Sequence, residues 1–216
     1  MHRGKPQPVL QTIIASTLPA GRITLNAMGE NMAYKIHILG AAGAGTTTLG
    51  KALAERLGVA YFDSDYFFWQ QTPDPFTVAR PKDERIRLLQ DQSAGLEGWV
   101  LSGSLCGWGD AMIMQFTHVV FLRLDPEVRL HRLRLREVQR YGDQILEGGS
   151  RHENSVAFLA WAARYDGGNH SLRSLRRHES WLKPLTCPVI RLDSTHHSVE
   201  ALVSQLMPLL SPSTAR

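Results

Sequence analysis

Long apolar runs are missing from this 216-residue chain, and cysteine is nearly so. No stretch approaches the ~20 apolar residues that a membrane-crossing helix needs. Residues 9–20 come closest to the core of a secretory leader, but Gln11, Thr12, Ser16 and Thr17 make them too polar. Cys106 and Cys187 are the two cysteines, without ligand spacing or a local partner. That excludes a disulfide scaffold and reads as reduced thiols in a cytoplasmic protein. The nine histidines lack the spacing of a metal site. Basic residues are not interleaved with aromatic ones, and no nucleic-acid module is recognisable. The small positive balance, 24 Lys and Arg against 20 Asp and Glu, therefore points to handling of small anionic phosphates. Neither nucleic acid nor a membrane is expected as a partner, and the sequence leaves the oligomeric state open.

What is present is alternation. Strand patterns at 34–39, 59–62, 99–101, 119–124 and 188–192 are separated by helical ones at 46–57, 83–96, 126 to about 140, 155–164 and 198–210. Such alternation predicts an α/β fold, a parallel sheet of about five strands with helices on both faces. The Asp125-Pro126 pair is a helix start, a capping residue followed by proline at the first helical position. The length suits one domain, over 33–211. Residues 1–32 are expected to be a disordered extension, or translation begins at Met32; residues 212–216 are a tail.

The run Gly40-Ala41-Ala42-Gly43-Ala44-Gly45-Thr46-Thr47-Thr48 carries the densest information. It follows a strand, opens a helix, and matches the phosphate-binding loop G-x-x-x-x-G-K-[ST] at every fixed place but one. Gly40 and Gly45 hold the glycine places and Thr47 the magnesium hydroxyl; Thr46 stands where the lysine belongs. Glycines let the backbone approach a ligand closely, and successive N–H groups then form a nest at the positive end of a helix. None of this needs a lysine, which supplies a point charge to the outer phosphates during transfer. Lys51 comes too late in the helix to replace it. The plain alternative, a glycine-rich turn that binds nothing, is disfavoured because strand, spacing, hydroxyl and helix all occur in order.

Ligands of parallel sheets bind at the carboxyl ends of the strands. The second strand runs into Asp63-Ser64-Asp65, two carboxylates that can share a magnesium shell or accept a proton from a hydroxyl. Alternatively, Asp63 caps the next turn and Asp65 is solvated. The third strand ends in Ser102-Gly103-Ser104, followed by a glycine-rich loop whose Trp108 either stacks on a ligand or belongs to the core. After Pro126, Arg129, Arg132, Arg136 and Arg140 share one helical stripe, with Val128, Leu130, Leu135 and Val138 taking most of the remaining surface.

On these residues the segment from 34 to about 209 resembles the P-loop kinases of the nucleoside-monophosphate-kinase-like group, which includes adenylate, cytidylate, shikimate and gluconate kinases. Thr46-Thr47-Thr48 is similar to the G-x-G-T-T-T variant of archaeal cytidylate kinases. The resemblance implies a three-layer P-loop fold, an acceptor-binding arm at about 63–98 and an arginine-rich lid at about 137–183. It implies ATP and Mg2+ as cofactors, with residues 40–48 on the nucleotide and Thr47 and Asp65 on the metal. Asp63 and Asp65 become catalytic at the acceptor site, and Arg132 and Arg136 match the R-x-x-x-R that reaches the transferring phosphoryl. Arg80, Arg85, Gly103 and Trp108 become candidates for binding the acceptor. Relatives often carry aspartate where this chain has Ser102, so it departs from the pattern twice. The implied activity is transfer of the γ-phosphoryl of ATP to a small acceptor, a nucleoside monophosphate first and a small hydroxylated metabolite second. A non-catalytic nucleotide-binding regulator is the rival, for which Thr46 and Ser102 argue.

Overall fold

Five strands, β1 (Lys35–Gly40), β2 (Ala60–Asp63), β3 (Trp99–Ser102), β4 (His118–Arg123) and β5 (Val189–Asp193), form one sheet. All pair in parallel, in the order β2-β3-β1-β4-β5. The structure is a computed structural model that describes residues 34–168 and 173–210. The expected extension at 1–32 and the tail at 212–216 lie outside the described residues. Parallel neighbours require crossovers, and these are α1 (Thr46–Leu57), α2 (Ser64–Phe68), α3 (Lys82–Ser93), α4 (Pro126–Tyr141), α5 (His152–Ala163) and α6 (Leu175–Leu182), with α7 (Val199–Leu206) closing the chain. None is long and apolar enough to cross a membrane among the described residues.

The period-2 alternation of the strands divides the core into two layers. Ile36, Ile38, Val100, Val120 and Leu122 pack with Leu49 and Leu53 of α1 and Leu202 and Leu206 of α7. Leu39, Trp99, Leu101, Val119 and Phe121 face the other way, onto Phe67, Leu89, Trp181 and Leu182. Each fully buried aliphatic or aromatic side chain stabilises the fold by about 1.5–3 kcal/mol. Two imidazoles in the strands break the pattern, His118 at the start of β4 and His37 in β1. His37 is wholly buried in β1, stacked 5.2 Å from Phe116, with Nδ1 3.0 Å from the Leu101 carbonyl.

Local signals set the helix ends. Gly58 ends α1 in the left-handed conformation, its N–H returning to the carbonyls of Ala54 and Glu55. The Asp125 carboxylate caps α4 by accepting from the N–H groups of Glu127 and Val128. Two helices depart from the expectation. Five residues of α2 are too few to show a period, and α6 lies in the arginine-rich stretch where apolar spacing is sparse. The orientation of α4, which periodicity left open, is set by the fold. Arg129, Leu133 and Glu137 face inward, while Leu135 and Val138 are exposed. Paired charges, not aliphatic groups, fill much of that interface: Arg129 reaches Asp166 at 2.7 Å and the Ala162 carbonyl at 3.0 Å, and Glu137 accepts from Ser155 at 2.7 Å.

Candidate active site

The glycine loop leaves β1 between its neighbours β3 and β4, where the chain crosses over in opposite directions and a crevice opens. Gly43 and Gly45 have φ of 85° and 96°, in the region that side chains avoid. A Cβ at Gly43 would come within 2.9 Å of Leu133 Cγ and 3.2 Å of Arg129 Cγ, so α4 presses directly on the loop. At Gly45 the nearest atom would be Leu122 Cδ2 at 4.0 Å. This open side is the cradle, and α1 begins beside it with no side-chain cap on its N–H groups. Thr46 turns its methyl toward Gly40, and Thr47 and Thr48 are exposed on the first turn. The Ala44 carbonyl is held from outside the loop by the Ser194 hydroxyl at 3.0 Å, from the segment after β5.

Asp63 closes β2 and joins the cradle to the next loop. Its Oδ1 accepts from the Asp65 N–H at 3.0 Å, so it does cap α2. Its Oδ2 accepts from the Thr47 hydroxyl at 3.1 Å and the Tyr61 hydroxyl at 3.3 Å. Burial pushes the Asp63 carboxyl above its ordinary range, and the Asp65 N–H, Thr47 and Tyr61 draw it partly back. Asp65 is more exposed, and its carboxylate lies 3.7 Å from Arg173. The pair has thus divided: Asp63, not Asp65, meets the metal-type hydroxyl. Hydroxyl and carboxylate beside a phosphate cradle are the hard oxygens suited to magnesium, which keeps waters and phosphate ligands. No group of three or more His, Cys, Asp or Glu that could hold a metal gathers among the described residues.

The arginine stripe also divides. Arg129 is consumed by its buried partners. Arg132 is exposed one turn on. Arg136 is half-buried against Phe158, with its Nε enclosed and without a hydrogen bond. Burial and the neighbouring Arg140 lower its pKa, and Asp65 is among the charges that oppose this. Further out, Arg140 lies over Phe76 at 5.2 Å and Arg151 pairs with Asp74, so the end of α4 and the segment after it rest on the loop before α3.

A family model described as an AAA domain matches residues 36–156, spanning the cradle, both carboxylates and the arginine helix. The chain belongs to this family of P-loop kinases. A Bacillus subtilis relative, the uncharacterized protein YqaC, is 44% identical over 180 residues, 83% of this chain and 99% of that protein. A shikimate kinase of Bacteroides thetaiotaomicron is 34% identical over 124 residues, 53% of this chain and 69% of that enzyme. The solved structure of a shikimate kinase from the same organism superposes with a TM-score of 0.50 at 21% identity, over 82% of this chain and 98% of that one, a likeness of fold.

In this P-loop kinase domain several expected acceptor residues are already engaged. Trp108 is buried against Phe68, its indole N–H donating to the Ser104 carbonyl at 2.9 Å; it is core and does not stack on a ligand. Arg80 is tied to Glu84 at 2.8 Å and to the carbonyls of Phe67 and Trp69. Arg85 donates to the Arg80 carbonyl and stacks on Phe68 at 3.7 Å. Arg80 is thus fully spent within its own segment, whereas Arg85 spends its Nε and its stacking face there. Gly103, at φ 105°, would place a Cβ on the Ser64 hydroxyl, so its role is close packing of β3 on α2. Sequence reasoning missed Tyr61 and Ser194. Tyr61 was legible as the residue two before Asp63, on the same face of β2; nothing in the local sequence signals Ser194.

Proposed function

We propose that the chain transfers the γ-phosphoryl group of ATP to a hydroxyl of a small acceptor, in the presence of magnesium. The observation that carries this reading is the division of labour between the two carboxylates. Asp63 is tied to Thr47, Tyr61 and the α2 backbone, on the side of the cradle. Asp65, beside Arg173 and within the field of Arg136, is the carboxylate left to face an acceptor. An acceptor hydroxyl loses its proton as its oxygen bonds phosphorus and the bond to the ADP oxygen breaks; Asp65 takes that proton. Thr47 and Asp63 would hold the magnesium, which offsets phosphate charge. Arg136, and Arg173 from the segment before α6, supply the positive charge that Thr46 does not. The cradle N–H groups bind ground-state phosphate without either arginine.

A hydroxylated metabolite is favoured here over the nucleoside monophosphate that the sequence put first. A monophosphate oxygen is already ionised and needs no base, and Arg80, a candidate to receive a second phosphate, is tied to Glu84 and two carbonyls. The relatives named shikimate kinase support the same acceptor class. The test is a panel of hydroxylated carboxylic acids, sugars and nucleoside monophosphates with ATP and magnesium, reading ADP release against a no-acceptor control. A hydroxylated acceptor should accelerate release, and Asp65→Asn should cut that turnover by roughly 10² with ATP affinity unchanged. Monophosphate-only activity would return the sequence's first choice, and a blank panel with intact ATP binding would support the regulator.

A further inference from the structure

A hydrogen-bonded chain links the ends of β2 and β3 to the first turn of α1, and the mechanism above uses only its Asp63–Thr47 end. Tyr61 and Asp63 are two residues apart on β2, and the β2–β3 register sets Asp63 opposite Ser102. The Tyr61 hydroxyl lies 2.6 Å from Ser102 Oγ and 3.3 Å from Asp63 Oδ2, which also receives Thr47 at 3.1 Å. A gap in α1 makes the geometry possible. A Cβ at Gly50 would stand 2.9 Å from Tyr61 Cε2 and 3.1 Å from Ser102 Cβ, so the ring lies flat where any side chain would displace it. Lys51 then covers the ring, its Nζ 5.8 Å from the centroid.

Proton bookkeeping gives the chain a direction. Asp63 as a carboxylate only accepts. Tyr61 has one proton, and given to Asp63 it leaves the phenolic oxygen to accept from Ser102, whose buried hydroxyl then also has a partner. Thr47 likewise spends its proton on Asp63, which leaves its lone pairs for the mouth of the cradle. We infer that Tyr61 and Ser102 are positioning residues, a hydroxyl relay that locks Asp63 against Thr47 and so aims the Thr47 oxygen at the nucleotide-bound metal. The inference rests on the kinase reading of the site. It assigns β3 a part in metal binding although the strand ends in serine, a residue without charge.

The test separates metal-dependent from metal-independent affinity in the full chain. ATP binding is measured by calorimetry in magnesium and in EDTA, for the parent, Tyr61→Phe, Ser102→Ala and the double variant, with thermal melting alongside. Tyr61→Phe should leave the EDTA affinity within about twofold and reduce the gain from magnesium about tenfold, as for loss of a hydrogen bond to a charged group. Ser102→Ala should produce a smaller loss of the same kind. The double variant should match Tyr61→Phe, because both substitutions break one chain. With an acceptor in hand, Tyr61→Phe should lower kcat more than it raises KM for the acceptor. An unchanged magnesium gain, equal losses in magnesium and EDTA, or losses that multiply in the double variant would each overturn the relay. Should Tyr61→Phe fold poorly, Ser102→Ala decides by the same criterion. A parent protein that binds no ATP overturns the kinase reading itself; one that binds ATP and turns over while Tyr61→Phe keeps its magnesium gain overturns the relay alone.

Discussion

Acidification from pH 7.5 to pH 5 should remove roughly 4 kcal/mol from folding stability, through two imidazoles that the fold keeps neutral. Burial lowers His37 from the ordinary value to about 4. His178 is lowered to about 3 by burial, with Arg173 and His37 adding to the effect. His37 sits among aromatic rings with Nε2 unpartnered; His178 has both nitrogens engaged, by Tyr165 at 2.8 Å and Ser104 at 3.2 Å. In the unfolded chain both titrate near 6.5. Below that value the unfolded state binds protons that the folded state refuses, so stability is full above about pH 6.5 and is lost as pH falls toward 4 and 3. At pH 5 each residue costs about 2 kcal/mol, a large fraction of a typical 5–15 kcal/mol. Asp63, whose pKa is raised, acts in the opposite sense, so the useful quantity is the difference between a variant and its parent. His37→Phe preserves the ring and its stacking, and should recover about 2 kcal/mol at pH 5 relative to its effect at pH 7.5. Guanidinium unfolding curves at pH 7.5, 6 and 5 measure this directly. Parallel pH dependences for the parent and His37→Phe would refute the burial argument.

Three further outcomes are expected. Gly45→Val should abolish ATP binding by calorimetry while the protein stays folded, because the branch fills the open side of the cradle and φ of 96° strains it. Arg136→Ala should lower turnover roughly 10² to 10³-fold with a smaller change in ATP affinity, and Thr46→Lys should partly restore that variant; an affinity loss without a kcat loss would make Arg136 a ground-state contact only. Arg129→Met should cost about 2–3 kcal/mol in denaturant unfolding, since it strands Asp166 and loosens the helix against Gly43, and ATP affinity should fall with it.

Much of the fold was legible because its signals are local. Gly58 and the Asp125-Pro126 pair end and start helices by backbone chemistry that needs no tertiary partner, and both stand where the sequence predicted them. The strands were found from short apolar runs, with ends shifted by at most one residue because parallel strands buried on both faces give no alternation to mark them. The orientation of α4 was not legible. Period alone cannot say whether a stripe of arginine or a stripe of leucine and valine faces inward, and the answer depends on Asp166 and Ser155, partners 37 and 18 residues away from Arg129 and Glu137.

The same distinction explains the site. The cradle was readable because one contiguous stretch supplies every group in it, whereas the role of each arginine depends on which acids the fold brings near. Arg80, Arg85 and Arg129 look as available in sequence as Arg136, yet each finds a structural acceptor: Glu84, a backbone carbonyl, Asp166. Arg129 and Arg136 each keep an enclosed Nε without a hydrogen bond, but Arg136 has no ion pair among the described residues, and Arg173, over Trp161, makes a loose 3.7 Å approach to Asp65. Unsatisfied charge inside a crevice is costly unless a ligand completes it. That cost is tolerable if the missing partner is the anion being transferred, as the proposed reaction requires. The proposed transfer therefore rests on where these two arginines lie, beside Asp65, more than on how many arginines the chain carries.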